Sequence, residues 1–154
     1  MKLADFDSIL HFEPKEISGW ENMEAETVKR LDTMRHLDGE ALGFYFLVTS
    51  AYREARPGEG FSYHHHGRAI DGVMICKTTR EPLPLIHQYM IASRHGWGGI
   101  GLYPHWNRPG LHLDTRIHLP YERHARWWRD ERGKYRDFYE FMERTELWGL
   151  NTLT

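Results

Sequence analysis

The side chains best suited to chemistry lie close together in residues 62–71, which read SYHHHGRAID. His64 and Asp71 supply an imidazole nitrogen and a carboxylate oxygen, and Gly67 between them permits a tight bend. In a strand after this bend, Ala69 and Asp71 point to the same face, and the small Ala69 leaves room beside the carboxylate. Because zinc binds such groups, the segment predicts half of a zinc site.

A catalytic zinc site usually takes three protein ligands and leaves one position for water, so a third ligand must come from elsewhere in the chain. The candidate is His112, in residues 110–116, which read GLHLDTR. With the two residues above, it completes a predicted Zn2+ site. His65 and His66 are not both expected to be ligands, because adjacent side chains leave the backbone in different directions.

Short apolar or glycine-rich segments surround both motifs and have the composition of strands. They comprise residues 44–49, 68–76, 97–103 and 111–117. A loop rich in proline and glycine separates the last two, which is typical of a hairpin. The ligand-bearing segments are thus expected in strands or directly before them.

Three segments are predicted to form helices around these strands. Ser18 and Glu21 fit a capping box, which predicts a helix that starts there and stops at Gly39. Residues 83–95 predict a second helix. Residues 120–148 carry many aromatic residues among charges and are predicted to form one or two C-terminal helices that cover the sheet.

The length of 154 residues and the 40% hydrophobic content predict a single domain, 1–154, with its motif-bearing core at about residues 44–117. The formal net charge of -2 gives no general attraction to nucleic acid or to an anionic membrane, so neither is an expected partner. The single cysteine, Cys76, excludes an intramolecular disulfide. The acidic start of the chain lacks the apolar stretch of a signal peptide, and no later segment has the length of a membrane span.

Four motifs together resemble the M15 family of zinc D-Ala-D-Ala carboxypeptidases and peptidoglycan endopeptidases. They are SAYR at residues 50–53, S-x-H-x-x-G-x-A-x-D at 62–71, G-x-G-x-Y at 99–103 and H-x-D-x-R at 112–116. The resemblance covers about residues 44–117. It implies zinc ligands at His64, Asp71 and His112, and a role for Arg53 in stabilising the transition state.

The resemblance also implies a fold and an activity. The fold is α+β, with a small antiparallel sheet flanked by helices, as in Hedgehog and DD-peptidase-like zinc peptidases. The activity is that of a zinc metallopeptidase, a hydrolase of peptide stems in bacterial peptidoglycan, acting as a carboxypeptidase or as an endopeptidase of the endolysin kind. Without a recognisable signal peptide, the chain fits a phage-encoded lysin, a cytoplasmic protein that acts on the cell wall if released, or a fragment of a longer exported protein. Its oligomeric state is open.

The chain departs from the family at the general base. Some members carry a glutamate three residues before the last zinc histidine, where this chain has Pro109. Asp114 lies two residues after His112 on the same strand face, and could be the base or could orient a ligand by a hydrogen bond. His105, in the loop before the ligand strand, could reach the zinc-bound water instead.

Further residues are candidates for substrate binding. Ser62 could donate to the substrate or to a ligand carboxylate, and a serine here could equally cap a turn. Tyr103, with Trp97 and Trp106, could line a substrate groove or belong to the core. Residues 126–129 (RWWR) are interpreted as part of a packed helix rather than as a surface that stacks on glycan or nucleic acid.

Two other functions fit parts of this pattern. His112-x-Asp114 with a distant histidine is also the formal signature of a 2-His-1-carboxylate iron oxygenase. Those enzymes usually need a many-stranded double sheet, whereas this sequence predicts only a few short strands. The absence of glutamate at position 109 leaves open a zinc-binding module without catalytic activity, either structural or for binding cell wall.

Overall fold

One six-stranded sheet organises the computed structural model, which describes residues 5–117 and 124–150. The strands lie in the order β1-β2-β4-β3-β5-β6, and all neighbours are antiparallel except β3 and β5. The predicted α+β class is confirmed, but the predicted small antiparallel sheet is instead a six-stranded mixed sheet with one parallel pair. The strands are β1 (Phe44–Ser50), β2 (Ala69–Cys76), β3 (Gly99–Tyr103), β4 (Gly110–Asp114), β5 (Ala125–Arg129) and β6 (Tyr135–Asp137).

The parallel pair results from the place where β5 joins the sheet. The chain reverses after β3 and returns as β4 along one side of it, forming the predicted hairpin. After β4 it reverses again, but β5 pairs with the other side of β3. A second reversal restores the direction of β3, so the two strands are parallel. β3 therefore lies between β4 and β5 in the sheet.

Four α-helices and several 3-10 turns complete the described chain. A π-helical segment, Arg35–Gly39, joins the first two helices into one continuous run. The α-helices are α1 (Ala25–Met34), α2 (Glu40–Leu42), α3 (Leu85–Ala92) and α4 (Phe138–Glu143). The 3-10 turns are Phe6–Ser8, Pro14–Glu16, Trp20–Asn22, Tyr63–His66 and Thr145–Leu147. No helix among the described residues has both the length and the apolar composition that crossing a bilayer requires.

The predicted start and the predicted end of the first helix are both wrong. The helix begins at Ala25 rather than at Ser18, because the Ser18 hydroxyl instead accepts a hydrogen bond from the backbone N–H of Ala51, 3.0 Å away. The helical run also continues through Gly39 and stops at Gly43, whose φ of 76° lies in the left-handed region that commonly ends helices.

The predicted C-terminal helices are largely wrong as well. Within residues 120–148, the first four lie outside the described residues, and residues 125–137 form β5, a turn and β6. Asp130 accepts hydrogen bonds from the backbone N–H groups of Arg132 and Lys134, and Gly133 adopts a φ of 77°. This turn reverses the chain between the two strands. Aromatic residues favour strands, and here that preference prevails over the spacing read as helical.

The core lies between one face of the sheet and the helices. Because side chains alternate along a strand, every second residue of the central strands enters this core, and the residues between them face the other way. The core-facing strand residues include Ile70, Met74, Ile100, Leu102, Leu111, Leu113 and Trp128, all buried against Leu31, Met34, Leu85 and Ile91 of the helices.

Candidate metal centre

A row of neighbouring residues on the opposite face of the sheet contains two of the predicted ligands. Asp71 of β2 lies directly opposite His112 of β4, which in turn lies opposite Gly101 of β3 and, beyond it, Trp127 of β5. Side chains opposite each other on adjacent strands are close enough to interact. The strand register therefore brings Asp71 and His112 together although they are far apart in sequence.

His64 reaches the same place from a separate 3-10 turn, Tyr63–His66. The Ser62 hydroxyl caps this turn by accepting from the backbone N–H of His64 at 3.3 Å. Gly67 ends it with a φ of 66°, and a Cβ there would collide with the backbone of Asn22. These constraints hold the His64 ring against the end of β2. They also place Ser62 in the turn-capping role that its sequence context allowed.

Three ligand atoms converge at this point. Asp71 Oδ1 lies 3.2 Å from His64 Nε2 and 2.9 Å from His112 Nδ1, and both rings are buried. The three atoms all lie within 4.8 Å of one another. His64, Asp71 and His112 could therefore hold a metal ion, as the sequence predicts for these residues.

Each histidine is oriented by a hydrogen bond from its other ring nitrogen. His64 Nδ1 lies 2.6 Å from the carbonyl oxygen of Ala51, which can only accept, so Nδ1 donates this hydrogen bond and Nε2 is the nitrogen that faces Asp71. His112 Nε2 lies 2.8 Å from Asp114 Oδ2 and donates to it. The ring nitrogen of each histidine that faces Asp71 is thus the one left to bind a metal ion, and such orientation by a second hydrogen bond is typical of metal-binding histidines.

Asp114 is held by more than His112. Its carboxylate is fully buried and accepts two hydrogen bonds from the Arg116 side chain, at 2.8 Å and 2.6 Å, and one from the Arg116 backbone at 3.2 Å. The guanidinium in turn lies between the Tyr63 and Trp127 rings, 4.6 Å and 5.1 Å from their centroids. A Cβ at Gly99 would collide with the carboxylate, so this glycine leaves the space that Asp114 occupies.

The charges in this cluster stabilise one another. Burial opposes ionisation of Asp71, but hydrogen bonds from His112 and His64 outweigh it and lower the pKa of Asp71 to about 2. Burial also opposes a charge on His112, yet the Asp114 and Asp71 carboxylates raise the pKa of His112 to about 9. Against the same penalty of burial, Arg116 and His112 hold the pKa of Asp114 well below its usual range. The two ionised carboxylates favour a cation at this position.

The three ligand residues lie at the wall of a cavity of about 630 Å³. Among the predicted residues, Arg53, Ser62, Tyr103 and Trp106 line this cavity together with the ligands. Tyr103 stacks on Trp106, with 4.3 Å between ring centroids, and burial raises the pKa of Tyr103 to about 12. Trp97, in contrast, is fully buried in the core.

Arg53 and His105 have other polar partners. The Arg53 guanidinium pairs with Glu59, which also lies 3.4 Å from His65, and about half of the Arg53 side chain is exposed. His105 is exposed in the loop after β3, lies 3.6 Å from Glu131, and is not among the described residues that line the cavity. The structure thus brings Arg53 to the site and leaves His105 outside it.

The remaining cavity residues were not predicted as site residues. Trp127 and Arg129 belong to the segment interpreted from the sequence as a helix. In the structure this segment is β5, and its two-residue alternation places both side chains on the site face. The turn signal at Asp130 and Gly133 between two aromatic runs could have indicated a hairpin here. Arg116 and Tyr135 also line the cavity. Comparison of the chain with protein-family models, with curated proteins and with solved structures finds no match.

Proposed function

We propose that the chain is a zinc-dependent peptidase that hydrolyses peptide bonds in the stems of bacterial peptidoglycan. The observation that carries this proposal is the convergence of His64 Nε2, Asp71 Oδ1 and His112 Nδ1 at the wall of an open cavity. Three protein ligands with space beside them are the arrangement of a catalytic rather than a structural zinc site. The four sequence motifs support the choice of peptidoglycan stems and of a DD-peptidase-like fold.

The donor set and its dimensions fit zinc. Ligand atoms about 2.0–2.2 Å from a tetrahedral zinc ion are about 3.3–3.6 Å apart. Asp71 Oδ1 lies 3.2 Å and 2.9 Å from the two ring nitrogens, and all three atoms lie within 4.8 Å of one another, so small side-chain shifts would seat the ion. Two imidazoles, each oriented by a hydrogen bond, and one carboxylate are ligands that zinc prefers.

A bound zinc ion would supply Lewis acidity toward water and toward the scissile carbonyl. The chain's own residues would fix the reactants around it. Arg53, half exposed in the cavity wall, is placed to donate hydrogen bonds to an oxyanion that develops on the substrate. Asp114 is already bound by His112 and Arg116, which suits a residue that positions His112 better than one that takes a proton from water.

A second candidate function is a zinc-binding module without catalytic activity, either structural or for binding cell wall. One observation favours it: among the described residues that line the cavity, Asp71 is the only carboxylate, and it is a predicted ligand. With His105 outside the cavity, no described residue of the wall is an evident general base. Such a module would bind zinc through the same three residues.

Elemental analysis of the purified chain, combined with mass spectrometry of digested peptidoglycan, tests both functions. We expect one zinc per chain and new stem fragments, both lost in His64→Ala. The matched control is His66→Ala in the same 3-10 turn, where the ring is exposed and stacks on Phe61. This control should keep zinc and activity. Zinc without fragments would favour the non-catalytic module, and iron or no metal would contradict the zinc proposal.

A further inference from the structure

The cavity contains three arginines, and two of them are already neutralised within the chain. Arg53 pairs with Glu59, and Arg116 pairs with Asp114. Arg129, at the end of β5, has no carboxylate within 4.0 Å among the described residues; its one side-chain hydrogen bond there is donated to the Tyr135 hydroxyl at 2.8 Å. A guanidinium has five N–H donors, so most of those on Arg129 can serve a ligand.

Strand geometry places Arg129 on the same face as the metal ligands. Trp127 belongs to their row, and Arg129 follows it by two residues, which returns the side chain to that face. Since β3 and β5 are parallel and Leu102 lies opposite Trp128, Arg129 comes next to Tyr103. Two strand spacings of about 4.8 Å and one same-face step of about 6.6 Å separate it from His112, or about 12 Å between Cα atoms.

Aromatic rings contact the Arg129 guanidinium on one side and form a flat wall of the cavity near it. The Tyr135 ring lies 4.6 Å from the Arg129 guanidinium carbon, and its hydroxyl accepts the hydrogen bond described above. The stacked pair of Tyr103 and Trp106 forms another wall of the same cavity. An arginine fixed in this way can offer paired N–H groups to a planar anion, the geometry that carboxylates prefer.

We infer that Arg129 binds a carboxylate of the substrate at a point remote from the scissile bond. This inference rests on the proposed function and specifies its substrate: a peptide stem with a free carboxylate several residues from the bond that is cut. The Cα atoms of Arg129 and His112 are about 12 Å apart, and Tyr135 holds the guanidinium toward β6, on the side of β5 away from His112. This separation corresponds to about three extended residues, so the group bound is not the terminal carboxylate adjoining a carboxypeptidase's scissile bond.

The test compares two stem peptides that differ only in this carboxylate. The probes are L-Ala-γ-D-Glu-L-Lys-D-Ala-D-Ala and the same peptide with D-isoglutamine in place of D-glutamate. Affinities are measured by tryptophan fluorescence with the full chain, both zinc-loaded and metal-free, since the metal-free chain cannot cleave the probe by a metal-assisted route. We expect the carboxylate peptide to bind wild type at least about tenfold more tightly than the amide, because hydrogen bonds to charged groups are the strong ones.

Variants assign this preference to Arg129. Arg129→Gln should bind the two peptides within about twofold of each other, and Arg129→Lys should keep part of the preference because it retains the charge but not the fork. Tyr135→Phe, which keeps the ring, should weaken the preference less than Arg129→Gln. The matched control Arg132→Gln removes an exposed charge from the same hairpin and should behave as wild type.

The possible outcomes separate this inference from the proposed function. Equal affinity of wild type for the two peptides, no binding of either at millimolar concentration, or a preference that persists in Arg129→Gln would overturn the inference, even if the chain cleaves peptidoglycan. A preference that disappears in Arg129→Gln would support it, even if no cleavage occurs and the non-catalytic function proves correct. Unchanged zinc content in the variants shows that the site has folded.

Discussion

The two faces of the sheet differ in kind although their side chains alternate along the same strands. On β4, Leu111 and Leu113 enter the core with no exposed surface, while His112 and Asp114 between and after them face the cavity side. On β3 the same alternation sets Ile100 and Leu102 against Gly99 and Gly101. One face thus contributes apolar burial, and the other contributes polar groups with glycines beside them.

This difference shows that one strand register serves both stability and the site. A slip of one residue would turn every core side chain outward and every site residue inward, so the burial of Leu111 and Leu113 also fixes the position of His112. The glycines have a corresponding role on the site face. A Cβ at Gly101 would collide with the Trp127 indole, and one at Gly99 with the Asp114 carboxylate. The core face therefore holds the register, and the glycines leave the space that the register needs.

The largest effects are expected from separate substitutions of Leu113 and His112, which are adjacent on β4 but face opposite sides of the sheet. Leu113→Ala should lower the free energy of unfolding by about 2–5 kcal/mol, because it leaves a cavity in a close-packed core. It should still bind one zinc. His112→Ala should lower zinc affinity by more than about a hundredfold, since even residues that only orient a ligand contribute about 10- to 100-fold.

Denaturant titration with a chelator present measures the first effect, and competition with a metal indicator measures the second. Each variant is the control for the other, because they differ by one position in the same strand. A folded Leu113→Ala chain that has lost its zinc would show that the two faces are not separable in this way.

A smaller effect is expected at Asp114, which connects the site to Arg116. Asp114→Asn replaces a carboxylate with four hydrogen bonds by a neutral amide, so Arg116 loses its charged partner, and one oxygen remains to accept from both His112 and Arg116. We expect zinc affinity to fall by about 10- to 100-fold and the free energy of unfolding by about 2 kcal/mol.

The matched control for this substitution is Asp130→Asn, at an exposed turn where an amide oxygen can still accept from the backbone. It should leave zinc affinity unchanged. The same experiment decides between the two roles that the sequence allows for Asp114. A variant that binds zinc as tightly as wild type but cleaves at least a hundredfold more slowly would identify Asp114 as the general base instead of a residue that orients His112.

The group of residues that could hold a metal ion could be predicted from the sequence because each of its two motifs is local. His64, Gly67 and Asp71 lie within one short segment, and the two-residue period of a strand fixes the direction of Asp71. His112 lies in a run whose apolar alternation also identifies a strand. The hairpin of β3 and β4 follows from the proline and glycine between them, and the α+β class follows from the mixture of such runs.

The parts that the sequence did not reveal depend on contacts between distant segments. The Ser18 hydroxyl could serve as a helix cap, but binding the backbone of Ala51 at the end of β1 removes it from that role. The pairing of β5 with β3 depends on the position of the whole hairpin, which the sequence of β5 alone does not indicate. The spacing of Trp127 and Trp128 among charges fits a helix, and only the turn at Asp130 signals otherwise.

The smallest predicted effect is on the ionisation of Tyr103, which reports how well the site face of the sheet excludes water compared with the core. Burial raises the pKa of Tyr103 to about 12 from the ordinary value of 10.0, because the phenolate is poorly solvated there. The folded chain therefore keeps this proton where the unfolded chain loses it, and the stabilisation, complete below about pH 10, is lost as the pH rises toward 12. Native wild type and Tyr103→Phe should show nearly equal phenolate absorbance at pH 11, whereas in guanidinium the variant should absorb less by about one part in eight, since the chain has eight tyrosines. A deficit of that size in the native variant would mean that Tyr103 is solvated and that the site face is far wetter than the core.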